Sequence, residues 1–104
     1  MSVVSVYCIF ADAEEAERIG RQMVEEQLAA CINILGPCRS IYRWQGAVET
    51  AEEVSTILKT TAAQADALIA RIAAMHSYEV PCIAVWPIDK LLLPYAQWVE
   101  DSLA

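Results

Sequence analysis

Glycine is scarce in this chain, at three residues in 104; histidine and phenylalanine occur once each, and seven basic side chains stand against fourteen acidic ones. So few glycines leave no room for a Gly-rich phosphate-cradling loop, and neither a GxSxG elbow nor an HExxH helix occurs. The basic residues are scattered and the formal net charge is −7. Binding to a phosphate backbone is therefore not expected, and no nucleic-acid partner is anticipated. No apolar run approaches the ~20 residues that a bilayer span requires. The start, "MSVVSVYCIF", has no positively charged leader before its apolar residues and no small-residue cleavage site. The expectation is a soluble, cytoplasmic protein with no membrane partner. The four cysteines, Cys8, Cys31, Cys38 and Cys82, form no CxxC pair and no zinc-knuckle spacing. Taken one at a time, they read as small buried hydrophobes.

What the chain has in abundance is apolar surface, at 57% hydrophobic residues. No composition shift divides residues 1–104, so one domain is expected. A domain of this size buries only about two-thirds of the surface its unfolded chain exposes. The surplus points to self-association.

Val3 to Phe10 is nearly continuous in apolarity and rich in β-branched residues, as in a strand buried on both faces. Asp12 and Glu15 have capping-box spacing ahead of Ala16, Ile19, Met23, Val24 and Leu28, which predicts a helix from Ala13 to Leu28. Cys31 to Leu35 begins a second strand, broken at Gly36-Pro37 by a bulge or an edge and resumed from Ser40 to Trp44, with a turn at Gln45-Gly46. Val54 to Thr61 reads as a third strand, whereas the propensity of "AVETAEE" is helix or loop. Thr61 and Gln64 repeat the capping-box spacing at the start of a second helix, which ends near His76. "CIAVWP" is a short fourth strand, and Pro94 opens a C-terminal helix with Tyr95, Trp98 and Val99 on one face. This order is the split βαβ, ferredoxin-like arrangement of the α+β class: a βαββαβ antiparallel sheet with helices on one face, plus the terminal helix.

The pieces "LAACINIL", "SIYRWQG", "ILKTT" and "HSYEVP", in this order, resemble the CutA family of divalent-cation tolerance proteins over essentially the whole chain. The resemblance implies a ferredoxin-like subunit in a homotrimer, with long hairpin strands reaching between subunits and "AVETAEEVSTILKTT" as one strand. It also implies a role in tolerance of copper and other divalent cations, with no established reaction. The copper ligands associated with bacterial members fall on Cys8, Met75 and His76, with methionine standing where the first of two histidines is usual. Thiolate, thioether and imidazole suit Cu(I). Strands one and four are neighbours in such a fold, which brings Cys82 toward Cys8 as a second sulfur. Ser77 and Cys82 depart from the usual family pattern of proline and an acid.

Each of these residues also has a plain structural explanation. Met75 continues the apolar stripe, His76 ends a helix where an imidazolium meets the macrodipole, and Cys8 is buried. Paired acids such as Glu52-Glu53 point to opposite faces of a strand and cannot share a substrate, and no enzyme is expected. A third reading rests on the architectural likeness of CutA trimers to PII signalling proteins. It makes Tyr42, Trp44, Lys59, Tyr78 and Glu79, with Cys82 nearby, the border of an intersubunit pocket for a small ligand or anion.

Overall fold

The computed structural model describes residues 2–104. Its elements are β1 (Val3–Phe10), α1 (Ala13–Glu25), β2 (Cys31–Trp44), β3 (Ala47–Thr61), α2 (Ala62–Met75), β4 (Ile83–Pro87) and α3 (Leu93–Asp101). The sheet order is β2-β3-β1-β4, with every pairing antiparallel. This is the expected ferredoxin-like α+β class.

The pleat of β1 separates two environments. Val4, Val6, Cys8 and Phe10 point into a core with Ala16, Ile19 and Met23 of α1 and Ala65, Leu68 and Ile72 of α2. Most of these side chains have no solvent exposure, and truncating Leu68 or Ile72 to alanine costs about 2–5 kcal/mol. Val3 points the other way, into a smaller cluster with Ala96 and Val99 of α3. Helix α3 thus covers one end of the second sheet face and leaves the other end open. Trp98, expected on the packed face of α3, is instead half-exposed and stacks on Tyr95 at 5.7 Å.

Helix α1 starts as its capping residues dictate: Asp12 Oδ1 accepts from the Glu15 N–H at 2.8 Å. It ends at Glu25, short of the expected Leu28, in a Schellman turn. Gln27 is left-handed (φ 59°), its N–H bonds the Val24 carbonyl, and the Leu28 N–H bonds that of Met23. A glutamine in the position that glycine usually fills hid this stop. The second capping box does not form: Thr61 makes no side-chain cap, and Gln64 Nε2 donates to the Ala104 carbonyl.

The β2–β3 hairpin decides the shape of the molecule. Its register slips between Ile34 and Gly36, leaving Leu35 as the extra residue, with Gly36 at φ 117° supplying a backbone that L-residues avoid. Pro37 continues the strand because β2 is the sheet edge and its missing N–H faces no partner. The bulge changes which residues share a face. Before it, Ile32 opposes Leu58 on the helix side; after it, Cys38 opposes Glu53 and Tyr42 opposes Glu49 on the other side. The tip is a two-residue turn with Gln45 and Gly46 both at positive φ, as a type I′ hairpin demands. "AVETAEE" is strand, as the family resemblance implies and against its propensity, because its backbone pairs with Cys38–Trp44. Since β1 pairs β3 only from Val54 onward, this outer part projects as a two-stranded ribbon, and the molecule measures 45 × 26 × 22 Å.

Candidate functional site

His76 caps the end of α2, and its backbone N–H closes on the Ile72 carbonyl at 2.9 Å. Its ring is sealed between Phe10, stacked at 5.2 Å, and Tyr78, tilted at 4.9 Å. Nε2 lies 2.8 Å from the Ile9 carbonyl oxygen, and Nδ1 lies 3.0 Å from the Tyr78 amide nitrogen. A carbonyl only accepts and a backbone amide only donates, so the ring carries a proton on Nε2 and offers its Nδ1 lone pair to Tyr78. The ring works as a clasp, joining β1 to the loop that follows α2. The ring expected to meet the end of the α2 macrodipole is turned instead toward β1.

Glu15 completes that clasp. Its carboxylate is almost fully buried, accepting from the Ala11 N–H at 3.0 Å and the Ser77 N–H at 2.9 Å. Burial alone pushes its pKa upward, but the hydrogen bonds from Ser77 and Ala11 outweigh it, and the net shift is downward.

Cys8 sits on the helix side of β1 with no solvent exposure, and its thiol faces the same Ile9 carbonyl at 3.9 Å. Burial, reinforced by Cys82 and Glu15, pushes its pKa up to about 12. Met75 packs against the main core. The fold therefore brings Cys8 and His76 to one carbonyl, but as a copper site with Met75 the set does not fit. A metal needs a thiolate and an imidazole lone pair, whereas this thiol is fully buried with its deprotonation disfavoured and both ring nitrogens are committed to the backbone. Nor does Cys82 add a second sulfur. The Ile9 N–H bonds the Cys82 carbonyl, whereas Cys8 pairs with Ile83, so the pleat carries Cys82 to the opposite face. Among the described residues no three His, Cys, Asp or Glu side chains converge on a metal position.

The open end of the second sheet face holds a cleft of about 780 Å³. Tyr7 and Ile9 form its floor, Cys38 and Tyr42 of β2 and Glu49 and Glu53 of β3 one wall, and Tyr78, Glu79 and Cys82 the other. Five pocket residues singled out from sequence, Tyr42, Trp44, Tyr78, Glu79 and Cys82, line it together. Lys59 does not. It opposes Ser5 on β1 and Cys31 on β2, beyond Tyr7 toward the end covered by α3.

The most buried acid of the cleft is Glu53, one of the consecutive pair that cannot share a substrate. Glu53 is only 7% exposed, and Tyr78 donates its hydroxyl to Oε2 at 2.7 Å. Burial and this carboxylate both drive the Tyr78 pKa upward, and burial with Cys38, Cys82 and Glu53 does the same to Tyr7, so both phenols stay protonated. Alternation separates Glu53 from Glu52, which pairs with Arg39 at 3.2 Å on the solvent side. That alternation was legible in the sequence. Its cover by Tyr78, 25 positions further on, was not.

The fold and site define the class: a ferredoxin-like α+β chain with a clasped histidine and an acid-and-aromatic cleft on its open sheet face. The CutA1 divalent ion tolerance protein family matches residues 4–102, and the chain belongs to that family. It is 37% identical over 98 residues to the divalent-cation tolerance protein CutA of Archaeoglobus fulgidus, covering 94% of this chain and 95% of that one. To the Thermus thermophilus protein of the same description it is 40% identical over 98 residues, covering 93% and 95%. The rice and human CutA proteins are longer, and the chain spans 56% of each. Among solved structures, CutA from Xylella fastidiosa superposes with a TM-score of 0.96 at 34% identity over the full length of both chains. The A. fulgidus structure, described as a periplasmic divalent cation tolerance protein, gives 0.93 at 36% identity over 96% of this chain and 97% of that one.

Proposed function

We propose that this chain serves divalent-metal tolerance as a non-catalytic homotrimer of the cytoplasm, with the metal as cargo. The observation that carries the reading is the projecting ribbon of β2 and β3. Two-stranded ribbons are marginal in water, yet Ile41 and Val48 stand 70% and 65% exposed on this one, with Tyr42 and Trp44 half-exposed beside them. Packing against further copies of the same chain buries that surface and pairs the strand edge. The non-catalytic part is supported by His76, whose ring nitrogens are both spent on backbone groups. The cytoplasmic part is supported by four free cysteines. Copper, the metal named by the family resemblance, is not assigned to Cys8, Met75 and His76 in this reading. Native mass spectrometry after equilibration with Cu²⁺ or Zn²⁺ tests it: three chains with retained metal, unchanged in Cys8→Ala, is the expected spectrum. Metal-free protein at every metal concentration contradicts the metal role.

A second reading, a small-molecule effector held in clefts between subunits, is favoured by the gathering of Tyr42, Trp44, Tyr78, Glu79 and Cys82 around one cavity.

A further inference from the structure

We infer that the cleft on the open sheet face binds an organic cation, a guanidinium or alkylammonium group seated against Glu53 and boxed by Tyr7, Tyr42 and Tyr78. This deepens the effector reading and rests on it: of the small ligand or anion implied by the likeness to PII proteins, it keeps the small ligand and replaces the anion with a cation.

Charge is the first ground. Glu49, Glu53 and Glu79 line the cleft, and Arg39, the one basic residue of the lining, holds its guanidinium on Glu52. An anion entering here meets uncompensated carboxylates; a cation supplies what the wall lacks.

The state of Glu53 is the second. Its Oε2 is satisfied by Tyr78, while Oε1 accepts no hydrogen bond from the described residues. No fully buried side-chain oxygen or nitrogen among those residues lacks a partner, so Oε1 keeps access to the cleft. A carboxylate that is 7% exposed, with one oxygen tied and the other open to a cavity, is a prepared acceptor for a charge-assisted hydrogen bond.

The shape of the ligand follows from what surrounds that oxygen. The donors do not converge as a small metal ion requires. The carboxylates share the cleft with Tyr7, Tyr42 and Tyr78, and aromatic rings attract a bulky cation of dispersed charge. The volume of about 780 Å³ lies within the usual range for small-molecule sites.

Two sources can deliver this group: a free amine or guanidine, or Arg43 at the ribbon tip of a second copy. Arg43 is exposed and has no ion-pair partner among the described residues.

The test is titration of the intact, ¹⁵N-labelled protein with methylguanidinium and butylammonium chlorides, with methylurea and sodium acetate as neutral and anionic comparisons, read as amide shifts at Tyr78 and Cys82. The expected result is saturable binding of the cations, at least about tenfold tighter than of methylurea. Glu53→Gln should weaken it by a similar factor. Should that variant fail to fold, Glu49→Gln and Tyr42→Leu, on the exposed ribbon, must each weaken it severalfold. Binding by wild type identifies a free ligand; binding only after Arg43→Ala identifies the neighbouring copy as the source, and both support the inference. Acetate or methylurea binding as tightly as the cations overturns the inference but keeps an effector cleft. No binding of any probe to wild type or Arg43→Ala overturns both.

Discussion

Three side chains, Glu15, His76 and Cys8, meet around one turn of backbone, and their chemistry is spent on holding it. Because the carboxyl of Glu15 titrates below its ordinary value of 4.5 when folded, the unfolded chain binds more protons near that pH. Its stabilisation is therefore complete above about 4.5 and is lost as pH falls through the lowered folded value. Glu15→Gln should cost about 1–3 kcal/mol at pH 7, and the gap to wild type should close on acidification, as followed by urea unfolding from pH 7 to 3. A constant gap would mean that the charge is irrelevant. The same packing sets the expectation for copper. Anaerobic Cu(I) titration of Cys8→Ala and His76→Ala should return affinities within about twofold of wild type, since neither the protonated thiol nor the committed imidazole is available. A tenfold loss in both would restore the family's ligand set. Residue types alone could not separate these outcomes. A cysteine, a methionine and a histidine look equally like ligands or like core, and only the backbone partners of the ring decide.

At the scale of elements, periodicity carried most of the fold, and its failures have identifiable causes. Strand β1, both core helices and the Gln45-Gly46 turn were legible because apolar spacing and turn chemistry are local. The far half of β3 was not, because Glu49, Glu52 and Glu53 have helical propensity that cross-strand pairing overrides. The bulge was legible as a break at Gly36-Pro37, but its consequence was not. One extra residue reverses the faces of everything beyond it and thereby turns Cys38 and Tyr42 toward Glu53 and Glu49. Deleting Leu35 should undo this, turning Tyr42 out of the cleft. The hydroxyl of Tyr78 would keep its bond to Glu53, but cation binding should fall at least severalfold while the helical circular dichroism stays unchanged. Retained binding in a folded deletion variant would show that the bulge does not position the site.

The whole molecule presents an imbalance that no single copy resolves. Helices α1 and α2 close one sheet face, α3 closes one end of the other, and the ribbon projects with apolar residues in water. Leu92 and Leu93, ahead of and within the first turn of α3, are 72% and 78% exposed, adding a second bare patch. Composition predicted such a surplus, whereas its location required the register. In the homotrimer proposed above, further copies of the chain cover both surfaces. The most direct measurement is sedimentation equilibrium on a dilute sample: a single species with the mass of three 11.5 kDa chains, persisting on dilution, is predicted. A stable, well-folded particle of 11.5 kDa would contradict it.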